Sequence, residues 1–211
     1  MTVPAKYAQH YLPVKYFLNS YRALSDGRTA VALLQKQVES KETFVSDWKI
    51  SWIAACAILR TSIDLFKVDK KLCLNKKIRE EIGREWDAIA ENKQAHAIFW
   101  EFLRKERDNI VHHYSWAAYE VWMDEEGSAQ KPRLGILDMR PEGSRTVLMM
   151  RSGKYEGEDS LKLLKESADW IQERIFAAIK RADFDPEEYR NLVTFKKRNP
   201  IDASLIIGTE T

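Results

Sequence analysis

Apolar residues return every three or four positions through most of this chain, a spacing that brings them onto one face of a helix. The longest stripe is Trp48, Trp52, Ala55, Leu59, Ile63 and Phe66, which predicts a central, largely buried helix over about 44–67. Tyr7, Tyr11, Val14, Leu18 and Tyr21 carry the same period, with Pro13 placed to kink or restart that helix. Ser25-Asp26-Gly27 reads as a turn, after which Val31, Leu34 and Val38 resume the pattern. The basic stretch Lys67-Val68-Asp69-Lys70-Lys71 is expected to end the central helix. Asn75 is placed to cap a further helix, through Ile78, Ile82, Trp86 and Ile89 to about Glu91. Ile98, Phe99, Phe102, Leu103 and Ile110 define another over about 95–114. Leu161, Leu164, Ala168, Ile171, Ile175 and Ile179 hold a clean 3.6 period over about 158–182, with Asp159 or Ser160 as its cap.

Between 118 and 155 the period drops to two. Tyr119–Met123, Arg133–Met139 and Thr146–Met150 are short β-type runs separated by Gly-containing turns, a pattern that predicts an inserted antiparallel β-meander. The expected fold class is mainly α, a helical bundle with a small β insertion, or α+β by count. One domain over 1–185 is expected, followed by an irregular tail over 186–211. Gly 8 and Pro 6 are few for 211 residues, as suits helix, and 45% hydrophobic residues suffice for a sizeable core.

Cys56 and Cys73 are the only cysteines and form no CxxC or Cys/His zinc spacing, so two buried or idle thiols in a reduced cytoplasm are expected. The first residues lack the apolar core of a signal peptide, and the longest apolar run, Trp52 to Leu59, is far short of a membrane span. A cytoplasmic chain with no membrane partner is the expectation. A net charge of +2 gives no global attraction to nucleic acid, so any such site must be local.

Most catalytic signatures are absent: there is no phosphate-cradling Gly-rich loop, no GxSxG elbow and no HExxH. One cluster remains, Arg107-Asp108-Asn109-Ile110-Val111-His112-His113-Tyr114, of the form Arg-x4-His-x-Tyr. At this composition such a pattern arises by chance about 0.01 times. Histidine titrates near neutrality and can act as base or acid. Arginine offers a permanent two-pronged cation to phosphate oxygens. Residues five apart on an ideal helix diverge by about 140°. Arg107 and His112 therefore share a site only if the helix breaks between them or a second copy completes it. Asp108, one turn before His112, can orient its ring or hold the arginine. Read without chemistry, Arg107 is a solvated helix residue, as are Lys105 and Glu106 beside it.

The motif resembles the signature of the HEPN superfamily, and its tyrosine resembles the variant found in HepT-type toxins. The resemblance spans residues 5–115 and 158–182, and the strands depart from the family's compact pattern. It implies a helical bundle that dimerises with the motifs facing each other across a two-fold axis. It implies a metal-independent endoribonuclease that uses Arg107 and His112 and needs no cofactor. The setting it implies is a toxin–antitoxin or phage-defence system, with a cognate antitoxin or nucleotidyltransferase as partner. Tyr114 would then be the site of nucleotide attachment. The alternative is a non-catalytic HEPN-like module that binds RNA, nucleotide or protein. Lys70, Lys71, Lys76 and Lys77 lie in a stretch that is either solvated or grips RNA phosphates.

Overall fold

The computed structural model describes residues 11–40, 48–130 and 143–196. It is mainly α, with a small antiparallel β insertion. Its helices among the described residues are α1 (Asn19–Glu39), α2 (Trp48–Leu72), α3 (Lys76–Glu91), α4 (Arg104–His113), α5 (Ser160–Arg181) and α6 (Leu192–Lys196). Its strands are β1 (Leu12–Pro13), β2 (Ala118–Met123), β3 (Ala129–Gln130), β4 (Arg145–Met150) and β5 (Tyr189–Arg190). Among the described residues no helix is long and apolar enough to cross a membrane. Two compact units form: one from the described parts of 1–23, 61–92 and 171–211, the other from those of 24–60 and 93–170.

In the first unit the expected helix around Pro13 is replaced by β1 and a 3-10 turn, Val14–Phe17. Proline lacks the N–H a helix interior needs and instead sits on a two-residue strand paired with β5. The tail expected to be irregular from 186 is therefore ordered through 189–196. Phe195 is fully buried, its ring stacked 4.3 Å from that of Phe17, and Asn75 donates its side-chain N–H to the Phe195 carbonyl. Asn75 also caps α3 as expected, its side-chain oxygen accepting from the N–H groups of Lys77 and Ile78.

Asp69 explains why the basic stretch does not end α2. Its carboxylate is buried and accepts from the backbone N–H groups of Asn19 and Ser20 at 3.2 and 2.9 Å. It also takes the Asn19 amide and the Ser20 hydroxyl. Asp69 is thus a cap lent to the start of α1 by a residue 50 positions away. Glu81 and Glu85, buried on α3, are held by Arg181, and Glu85 also by Arg174, both from α5.

In the second unit α1 runs straight through Ser25-Asp26-Gly27, where a turn was expected. A Cβ on Gly27 would come within 2.6 Å of Leu59 Cδ2, so the glycine serves the close approach of α1 to α2 rather than a reversal. A π-helical segment, Ile98–Leu103, leads into α4 and buries Phe99, Phe102 and Leu103. Trp52 meets Phe102 edge to face at 6.2 Å.

The sheet order is β3-β2-β4, with β2 in the centre. A meander would put the middle strand of the sequence there. Its expected second strand, 133–139, lies outside the described residues. The turn after β2 is tight, Asp124 accepting from Ser128 N–H through its side chain at 2.7 Å, and returns the chain as β3 along one edge. β4 pairs along the other edge from Ala118↔Met150 to Met123↔Arg145. The alternating burial of Ala118, Trp122, Leu148 and Met150 shows the face turned to the core. The two thiols are buried, one in each unit: Cys56 in the second and Cys73 in the first.

Candidate functional site

Helix α4 places the motif. Glu106 and Ile110, one turn apart, are its buried residues. Arg107 and Asp108 are half-buried beside that seam, and Val111, His112, His113 and Tyr114 are exposed. The helix is unbroken from Arg104 to His113, so Arg107 and His112 diverge around its axis and one copy does not bring them together. Asp108 accepts from Arg107 Nη1 at 3.0 Å and lies 3.5 Å from Arg104 Nε. Of its two possible tasks, this carboxylate takes the arginine. The rings of His112 and His113 are 6.4 Å apart at 62°, at the helix end where partial positive charge is favoured. Among the described residues nothing holds the His112 nitrogens by a hydrogen bond.

The helix closes on Tyr114, a left-handed residue at φ 48° and ψ 42°. Its N–H donates to the Ile110 carbonyl at 3.1 Å, and Ser115 N–H donates to Asn109 at 3.3 Å. The residue is 76% exposed, and its ring stands edge-on to Trp116 at 5.7 Å.

Glu106, expected on a solvated face, is instead 2% exposed. Both of its oxygens lie 3.2 Å from the Ala117 N–H, so it pins the chain as α4 turns into β2. Burial pushes its carboxyl up from the usual range, against the opposing pull of the Ala117 N–H and of Arg151. The signal for its position was present in Phe102, Glu106 and Ile110, which share one face at four-residue spacing. Its charge concealed it.

Beside the motif the surface of the second unit forms a groove of about 380 Å3. Tyr114, Ser115 and Trp116 line it from the end of α4, Trp48 and Lys49 from α2, Tyr119 and Glu120 from β2, and Arg151 from just beyond β4. No sequence motif marked Lys49 or Arg151, because three separate segments must meet before they become neighbours.

The four lysines named as RNA contacts lie in the first unit, on α2 and α3. Lys70 pairs with Asp87 at 3.7 Å, Lys76 with Glu80 at 3.9 Å, and Lys77 with Asp183. Lys71 is exposed near the end of α2. No protein-family model, curated protein or solved structure matches the chain.

Proposed function

We propose that this protein is a metal-independent endoribonuclease of HEPN type that acts as a homodimer. The observation that supports it best is the placement of His112, exposed and hydrogen-bonded to no described residue, at the end of an unbroken helix that also carries Arg107. An imidazole spent on structure is ordinarily held by a neighbour; this one is open to a ligand. Because Arg107 diverges from His112 on its own helix, a second copy facing the first across a two-fold axis is what would complete the site.

In that site one imidazole takes the proton of an RNA 2′-hydroxyl, and the freed oxygen attacks the adjacent phosphorus. The bond from phosphorus to the 5′-oxygen breaks, and a protonated imidazole supplies the proton that oxygen needs. A 2′,3′-cyclic phosphate and a 5′-hydroxyl result. Arg107 balances the negative charge that gathers on the phosphoryl oxygens, and Asp108 aims its guanidinium. The same reading makes Tyr114 the hydroxyl to which a cognate nucleotidyltransferase attaches a nucleotide, blocking the site by bulk and charge.

Incubation of the purified protein with RNA in EDTA tests this. Cleavage persists in wild type and is lost in Arg107→Ala. His112→Ala falls by about 10²–10⁴ while remaining folded, and His113→Ala keeps most activity, since nothing in the mechanism needs an imidazole there. Full activity in His112→Ala removes this assignment of the motif.

A further inference from the structure

Two cations in the groove beside the motif differ from three of the four lysines considered above in the first unit. Lys70, Lys76 and Lys77 each have a carboxylate partner, whereas Lys49 and Arg151 are ion-paired to no described residue. Each instead lies over an aromatic ring. Lys49 Nζ is 5.8 Å from the centre of Trp116, and the Arg151 guanidinium is 5.8 Å from that of Tyr119. One carboxylate, Glu120, also lines the groove, but one of its oxygens accepts from Trp122 Nε1 at 2.9 Å. The wall therefore alternates rings with cations, Lys49 and Arg151 outnumbering the carboxylate Glu120, with Arg151 also drawn toward the buried Glu106.

That alternation matches a single-stranded nucleic acid, whose bases offer flat faces and whose phosphates recur between them. A volume of about 380 Å3 lies at the small-ligand end of binding sites, a size that suits part of a single strand laid across an open groove. The groove is continuous with the motif through Tyr114 and Ser115. We propose that it is a subsite for single-stranded RNA next to the scissile phosphate: bases stack on Trp116 and Tyr119, and backbone phosphates sit against Lys49 and Arg151. The choice of RNA over other single strands rests on the ribonuclease reading of His112.

The test is fluorescence anisotropy of the full chain with a labelled, fully 2′-O-methylated single-stranded oligonucleotide, which cannot be cleaved, titrated at several salt concentrations. Trp116→Ala weakens binding by about tenfold or more, and Trp116→Phe, which keeps a stacking face, restores most of it. Lys49→Glu and Arg151→Glu weaken binding, and each lowers the salt slope by about 0.7. Lys162→Glu, on the exposed face of α5, changes neither beyond its effect on overall charge. Circular dichroism confirms that each variant is folded.

Binding unaffected by the groove variants overturns the subsite even if wild type cleaves RNA, and leaves the ribonuclease reading standing. Groove-dependent binding in a protein that never cleaves RNA keeps the subsite and removes the ribonuclease. Equal affinity for duplex, tighter binding of an acidic peptide at the same residues, or no binding of the oligonucleotide at micromolar protein also overturns it.

Discussion

Tyr114 occupies a backbone region that costs a residue bearing a Cβ about 1–2 kcal/mol. Glycine is the usual residue where a helix closes this way. At 76% exposure, the tyrosine regains little of that cost through burial. Such residues collect where a side chain is wanted for something other than stability. Tyr114→Gly is therefore expected to raise the free energy of unfolding by up to about 1 kcal/mol in a denaturant titration. A loss of more than about 1 kcal/mol would mean that the edge contact with Trp116 carries real stability. Sequence alone reached this residue as a motif member. The handedness of its backbone was invisible, since tyrosine gives none of the warning that a glycine or asparagine would.

At the scale of elements, the joint between α4 and β2 depends on a buried carboxylate. Burial raises the pKa of Glu106 in the folded chain above its unfolded value. Between those two values the native state keeps a proton that the unfolded state has lost. The Glu106 contribution to stability is accordingly greatest at low pH and declines as pH rises through the carboxylate range. Glu106→Gln should flatten that decline, measured as melting temperature across pH. Glu106→Ala should cost about 1–3 kcal/mol at low pH, by leaving the Ala117 N–H without its partner, and less as pH rises. A pH profile identical in wild type and Glu106→Gln would assign the slope to other groups. Elements with a strong local period were legible in sequence: α3 with its Asn75 cap, α5, and the paired strands β2 and β4. What escaped were features decided by distant partners. Gly27 resembles a turn until Leu59 is packed against it, and β5 has no meaning without β1. Asp69 is one charge among lysines until the start of α1 arrives above it.

For the whole molecule, the proposed ribonuclease requires assembly, because Arg107 diverges from His112 on its own helix. Light scattering at micromolar concentration should give twice 24.6 kDa. A monomer under those conditions would remove the shared-site form of the ribonuclease. The exposed Val111, beside His112 on α4, is an apolar residue that such a contact would cover.

The two buried cysteines give the chain a property unrelated to its chemistry on other molecules. Burial pushes the Cys56 thiol well above its ordinary range and, as the largest influence, raises Cys73 to about 11. At neutral pH both are protonated and shielded, so an alkylating reagent reaches either sulfur only during an opening of the structure around it. With Cys56 in one unit and Cys73 in the other, the rate at which each becomes labelled is a separate clock for each half of the fold, readable by mass without adding a probe.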